Sequence, residues 1–131
     1  MGYKSKASSQ NAVSIGSDTE AANLNATAVG SGAKAKANGA GAFGLNANAN
    51  GENTFAAVGG TASGNSAIAI GDASNASQES ATALGRNTTA TGVNSSAIGA
   101  YSIASDTDAT ALGRNANATA AQSTALGTYS K

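Results

Sequence analysis

The stretch Ala81-Thr82-Ala83-Leu84-Gly85 decides how this chain folds, because the same five-residue phrase returns along the whole sequence. Close copies end at Gly30, Gly113 and Gly127, and looser copies keep the small, apolar and glycine positions. A fixed period of this kind indicates a solenoid of stacked repeats. The period is 14 residues, as read from closing glycines at positions 16, 30, 44, 59, 71, 85, 99, 113 and 127.

The second half of each repeat alternates small and polar residues, as in Ala33-Lys34-Ala35-Lys36-Ala37. Alternation with a period of two predicts a strand with alanine on one face and polar groups on the other. Glycine followed by Asn, Asp or Ser supplies the positive φ angles and side-chain hydrogen bonds of a tight corner. Since helix-pair repeats need roughly thirty residues or more, the sequence predicts an all-β fold, a parallel solenoid of about nine two-strand coils.

The same alternation assigns the two faces of the phrase, with Ala81 and Ala83 on one side and Thr82 and Leu84 on the other. Two sheets that face each other in so small a coil are filled to native density only by short side chains. The alanines are therefore predicted to lie inside. The coil-interior residues are Ala28, Ala42, Ala69, Ala83, Ala97, Ala111 and Ala125.

The bulky residue before each glycine then faces outward, and the copies stack into one apolar stripe. An uncovered stripe of this length marks an interface, and identical stripes most simply close around a symmetry axis parallel to the solenoid. The sequence therefore predicts a homo-oligomer. The stripe comprises Ile15, Val29, Phe43, Val58, Ile70, Leu84, Ile98, Leu112 and Leu126.

Two further expectations follow from the stacking of repeats. The glycine spacings of 15 and 12 between Gly44 and Gly71 indicate one extra residue around 51–54 and two fewer around 60–65. The residues after the glycines also stack, which places Asp72 beside Arg86 in the next coil as an exposed ion pair.

Composition argues against several classes of function. The chain has no cysteine and no histidine, so thiolate chemistry and the commonest general base and metal ligand are missing. Seven basic residues balance seven acidic ones, which gives no electrostatic footprint for nucleic acid. We expect no enzyme activity and no cofactor or metal. An ice-binding solenoid needs an unbroken threonine array, and hexapeptide acyltransferases need a catalytic histidine, so both are disfavoured.

The pattern small-x-Ala-(Ile/Val/Leu)-Gly followed by an Ala/Ser-x-Ala strand resembles the YadA-like head of trimeric autotransporter adhesins. The resemblance covers repeats from about residue 10 to residue 129. It implies a left-handed parallel β-roll, a homotrimer, and a position at the tip of a bacterial surface fibre. The expected domain is one head spanning 1–131, with the neck, stalk and membrane anchor of the parent protein outside this fragment.

The resemblance also implies a function: attachment to host cells or to extracellular matrix proteins such as collagen, fibronectin or laminin, from a parent protein anchored in the outer membrane. The alternative is a structural spacer that carries a different binding domain. Collagen-binding members of the family are described by Asn-Ser-Val-Ala-Ile-Gly-x-Ser, and the closest stretch here is 94–101, which departs at Ser96 and Tyr101. The candidate matrix-contact residues are Asn94, Ser95, Ser96 and Tyr101.

Overall fold

The structure, a computed structural model, describes residues 2–131, so Met1 of the expected domain lies outside the described part. Within that part the chain is all-β, with 18 strands in two parallel nine-stranded sheets. No helix in residues 2–131 is long and apolar enough to cross a membrane. The predicted fold class, a parallel solenoid of about nine two-strand coils, is confirmed.

Odd-numbered strands are two residues long and form one sheet, called the short sheet here. Even-numbered strands are three residues long and form the long sheet. The short sheet contains β1 (Lys6–Ala7), β3 (Glu20–Ala21), β5 (Lys34–Ala35), β7 (Asn48–Ala49), β9 (Thr61–Ala62), β11 (Asn75–Ala76), β13 (Thr89–Ala90), β15 (Ile103–Ala104) and β17 (Asn117–Ala118). The long sheet contains β2 (Val13–Ile15), β4 (Thr27–Val29), β6 (Gly41–Phe43), β8 (Phe55–Ala57), β10 (Ile68–Ile70), β12 (Thr82–Leu84), β14 (Ser96–Ile98), β16 (Thr110–Leu112) and β18 (Thr124–Leu126).

Coils are numbered 1 to 9 by their long-sheet strands, from β2 to β18. Each long-sheet strand pairs with the equivalent strand of the next coil, so Ala69 lies against Ala83 and Ala83 against Ala97. The corner before a long-sheet strand is called the entry corner, and the corner after it the exit corner. In coil 6 these are residues 78–81 and 85–88.

Each corner contains a residue in the left-handed backbone conformation, so such residues recur about every seven positions along the chain. In coil 6 the entry corner has Ser80 at φ 56° and the exit corner has Asn87 at φ 53°. The phrase-closing glycine is needed as well, because Gly85 has φ 131° and a Cβ there would lie 3.0 Å from the carbonyl carbon of Gly99. The two corners are thus equivalent turns that close a flattened coil.

The interior is built from alanine. The seven alanines predicted to lie inside are at most 1% exposed, and the alanines of the short sheet face them from the other side. At several corners the last residue has a buried hydroxyl. The hydroxyl of Thr88, for example, donates a hydrogen bond to the carbonyl of Gly85 at 2.9 Å. Because so thin an interior admits only small side chains, every larger apolar residue is directed outward.

One coil is a residue shorter than the others, and the predicted insertion between Gly44 and Gly71 is wrong. The long-sheet register runs from Phe43 to Ala57 and from Ala57 to Ile70, which gives spacings of 14 and 13. The single deletion lies in the exit corner of coil 4, where residues 58–60 connect β8 to β9. Gly59 is therefore not equivalent to the phrase-closing glycines.

Candidate interaction surfaces

The outer face of the long sheet, called the apolar face here, carries two columns of side chains on either side of the buried central residue. The column at the strand ends contains Leu84 at 40% exposure and Leu112 at 43%. The column at the strand starts is mixed, with large apolar residues in coils 1, 4 and 5 and half-buried threonines such as Thr82 in coil 6 and Thr110 in coil 8. In the single chain this face is open to solvent.

The structure places most of the predicted stripe in the strand-end column. The exception is Val58, whose inclusion is wrong, because Ala57 pairs with both Phe43 and Ile70 while Val58 begins the exit corner. The residues that share the column are Ile15, Val29, Phe43, Ile70, Leu84, Ile98, Leu112 and Leu126.

Three exposed apolar residues of the strand-start column were not in the predicted stripe. They are Val13, Phe55 and Ile68, between 39% and 42% exposed. The signal was present in the sequence, because in a strand a residue two positions before the stripe must point the same way. In coils 1, 4 and 5 the apolar face is therefore broader than one ladder, whereas in coils 6 to 9 the strand-start residues are polar.

The large side chain lies in the strand-end column in coil 3, as Phe43, and in the strand-start column in coil 4, as Phe55. Their rings stack with centroids 5.4 Å apart, and a Cβ at Gly41 would lie 3.1 Å from the ring of Phe43. In coil 3 the strand-start position is Gly41 and the strand-end position is aromatic. In coil 4 the strand-start position is aromatic and the strand-end position is Ala57. Each of these two coils thus presents one large and one small side chain.

The outer face of the short sheet is mostly polar. Asn75 and Thr89 are half-buried, and Lys34 is exposed. Backbone hydrogen bonds tie each of these strands to its neighbours, for example from the Asn75 amide to the carbonyl of Thr88 at 2.9 Å. This face can form hydrogen bonds with a ligand. Its outward residues are Lys6, Glu20, Lys34, Asn48, Thr61, Asn75, Thr89, Ile103 and Asn117.

Arginine and tyrosine pair across coils at the exit corners. The guanidinium of Arg86 lies over the ring of Tyr101, 4.9 Å from its centroid, and also donates to the tyrosine hydroxyl. Arg114 and Tyr129 repeat the arrangement two coils on, at 5.0 Å, with a hydrogen bond of 2.8 Å. The expected ion pair of Arg86 with Asp72 is not formed, because the side chain turns to the coil on the opposite side.

The structure divides the candidate matrix-contact residues between two edges. Asn94 lies exposed at the entry corner of coil 7 and donates to the carboxylate of Asp108 at 3.1 Å, whereas Tyr101 lies at the exit corner. Ser96 is half-buried on the apolar face. The assignment of Ser95 as a contact residue is wrong, because it is fully buried and its hydroxyl donates to the carbonyl of Gly92 at 2.7 Å.

The shortened corner opens a shallow recess of about 460 Å³ on the exit edge. Leu45 and Val58 line it and are 64% and 61% exposed, and Asp72 lies beside them. Val58 has φ 53°, a conformation that is strained for a β-branched residue. The recess therefore results from the deletion itself. Within residues 2–131 no group of three or more carboxylates is placed to hold a metal ion.

A stack of parallel coils with a closed alanine interior and one open apolar face defines a solenoid repeat protein with a surface suited to assembly. Comparison with known families identifies it further: the model of the YadA head domain repeat matches residues 1–19, 42–57, 62–88, 79–102, 90–116 and 104–130. These segments cover most of the sequence, and the chain belongs to the YadA head family. No curated protein sequence matches the chain.

Membership of this family indicates the general function of the chain. YadA heads are adhesin domains of trimeric autotransporters on the bacterial cell surface, and the family is not one of enzymes. The shortened corner, residues 58–60, lies between two matched segments. The family model thus leaves the shortened corner unmatched, together with residues 20–41 of the regular coils.

Proposed function

We propose that this chain is a homotrimeric adhesive head that attaches a bacterial cell to host extracellular matrix or host cells, and that its parent protein is anchored in the outer membrane. The observation that carries the proposal is the apolar face of the long sheet beside a polar short sheet. One face suits assembly and the other suits contact with a ligand.

The exposed area of the apolar face supports assembly. Complete burial of a Val, Leu or Ile side chain stabilises by roughly 1.5–3 kcal/mol. Since the strand-end residues are partly covered already, about 1 kcal/mol remains for each, or roughly 8 kcal/mol for a column of this length. That is comparable to the net stability of a whole domain, about 5–15 kcal/mol. Closure of three copies around an axis parallel to the solenoid would bury all the columns at once.

The polar surfaces support adhesion. The short-sheet face presents rows of Asn and Thr side chains, and the coil edges present Asn94 and Tyr101. We propose contact with matrix proteins such as collagen, fibronectin or laminin through these outer surfaces. Three identical copies per head, and many heads per cell, would raise a weak single contact to useful avidity.

The second candidate function is a spacer that lifts another binding domain away from the cell. The regularity of the coil favours it, because the same corner geometry returns from Asn11 at φ 58° to Tyr129 at φ 61°. A solenoid whose coils contact only their neighbours can be lengthened without change to its construction.

The test combines the solution mass with matrix binding. The mass of residues 1–131 is measured by sedimentation, and binding to immobilised collagen, fibronectin and laminin is measured up to tens of micromolar. A trimer that binds at least one of them supports the adhesive head. A trimer that binds none supports the spacer, and a stable monomer overturns the assembly.

A further inference from the structure

Charged residues at the two edges of the coil follow a pattern that no contact within one chain explains. Coil 6 has Glu79 at its entry corner and Arg86 at its exit corner, and both are exposed. Coil 8 repeats the pattern, with Asp106 and Asp108 at the entry corner and Arg114 at the exit corner. Acid and base thus occupy opposite edges of the same coils.

These charges do not pair within the chain. A three-residue strand such as Thr82–Leu84 separates the two corners of a coil, and at about 3.3 Å per residue it spans roughly 10 Å. The arginines are held in place instead by their stacks on Tyr101 and Tyr129. A guanidinium has five donors, so most of them remain available at the exit edge.

We propose that the exit edge of each protomer lies against the entry edge of the next, so that Arg86 pairs with Glu79 of the partner subunit. Arg114 pairs in the same way with Asp106 and Asp108 of the partner subunit. The proposal rests on the trimer proposed above. Rotation about an axis parallel to the solenoid keeps equal coils at equal height, and every long-sheet strand runs from entry to exit corner. The edges of neighbouring copies therefore meet head to tail.

The rotation axis fixes this equal height, and the charge pattern agrees with it, because a shift by one coil would be unfavourable. At equal height Asp72, in the exit corner of coil 5, faces residues 64–66 of the partner subunit, which carry no charge. A shift by one coil would place Asp72 against either Glu52 or Glu79 of the partner subunit, and would remove both arginine pairs. Like charges in contact are unfavourable, so the pattern favours one register.

Side-chain sizes on the apolar face point to the same arrangement. The strand-end column borders the exit edge, and the strand-start column borders the entry edge. In coils 3 and 4 the head-to-tail contact places Phe43 against Gly41 of the partner subunit, and Ala57 against Phe55 of the partner subunit. Ala57 then leaves room for the ring of Phe55 of the partner subunit, whereas Gly41 is already covered by the rings of Phe43 and Phe55 of its own chain. In coil 7, between the charged coils, the same contact places Tyr101 against Val93 of the partner subunit. In the free chain Tyr101 is 39% exposed and Val93 is 36% exposed.

Disulfide cross-linking tests the contact directly, because the chain has no cysteine of its own. The double variant Glu79→Cys/Arg86→Cys should form a covalently closed trimer on oxidation, visible on a non-reducing denaturing gel. A disulfide needs Cα atoms within about 7 Å, so the two sites cannot be bridged within one chain. The matched control is Glu79→Cys/Arg114→Cys, whose sites lie two coils apart, about 10 Å along the axis. It should remain uncross-linked.

Charge reversal supplies a second readout. Arg86→Glu should weaken assembly about tenfold, because three like-charged contacts replace three pairs of the surface type. The double variant Glu79→Arg/Arg86→Glu should restore it. If the native chain is a trimer by mass, Glu79→Cys/Arg86→Cys gives no closed trimer and Arg86→Glu assembles as the native chain does, the head-to-tail contact is overturned while the assembly stands. A monomeric native chain overturns the assembly as well.

Discussion

The two outer faces of the coil share one backbone plan and differ in chemistry. In both sheets the inward residue is alanine, as at Ala83 in the long sheet and Ala90 in the short sheet, and both are fully buried. Outward, the long sheet presents Leu84 and the short sheet presents Thr89 in the same coil. The interior therefore determines the fold, while the outward residues are proposed to determine which face assembles. Substitutions on the two faces should separate these roles.

The largest effect is expected for Leu84→Asp. It removes an apolar side chain worth roughly 1.5–3 kcal/mol when buried and places three carboxylates near the proposed axis. The trimer should be lost at micromolar concentration, and the melting temperature should fall with it. Sedimentation and circular dichroism measure the two effects.

The matched control is Thr89→Asp, which adds the same charge to the polar face of the same coil. It should leave the trimer intact and change stability by no more than about 0.5 kcal/mol. If both variants dissociate equally, the two faces do not differ in their role, and the assembly must use another surface.

Overpacking of the interior should give the next largest effect. Ala90 lies in register between Ala76 and Ala104, so Ala90→Leu has no neighbour that can shrink. We expect a loss of about 3 kcal/mol in the free energy of unfolding, at the upper end for overpacked cores. Denaturant unfolding measures it. Thr89→Leu adds an apolar side chain to the outer face of the same strand and should cost much less.

The sequence alone sufficed to predict much of this fold, because each physical requirement recurs once per coil. Only small side chains fit between the sheets, so Ala83 recurs at its equivalent positions with Ser14 as the exception, and close stacking at Gly85 requires glycine. The bulky residue at Leu84 must then point outward. The number of chains in the assembly and the identity of the host ligand depend on contacts with other molecules. The repeat period of a single chain does not specify such contacts.

The errors arose where a local pattern imitated the repeat. Val58-Gly59 has the same residue types as Val29-Gly30, yet Val58 is the first residue of a three-residue corner. Only the strand register identifies Ala57 as the equivalent of Phe43. The burial of Ser95, in contrast, could have been predicted, because 14 residues in either direction lead to Ala81 and Ala109, which are interior alanines.

Ser95→Ala should have a smaller effect and tests whether that residue belongs to the interior or to a binding surface. Loss of its hydroxyl leaves the buried carbonyl of Gly92 without this donor, which should destabilise by about 1 kcal/mol. Thermal unfolding measures the change, and Ser105→Ala, at an exposed serine, is the control. Matrix binding by the folded variant should stay unchanged. If binding fell while stability stayed unchanged, Ser95 would contribute to ligand binding and not only to the interior.

Val58→Asn should have the smallest effect and tests the boundary of the apolar face. Asn tolerates the left-handed conformation better than a β-branched residue does, and it occupies the corresponding conformation at Asn46 and Asn87. The substitution should therefore stabilise the chain by about 0.5–1 kcal/mol, seen as a higher melting temperature. Because Ala57 rather than Val58 occupies the strand-end column, the trimer should persist, with Val58→Gly as a second variant that relieves the strain. Dissociation of both variants would mean that the apolar face continues around the exit corner to include Val58 and Leu45.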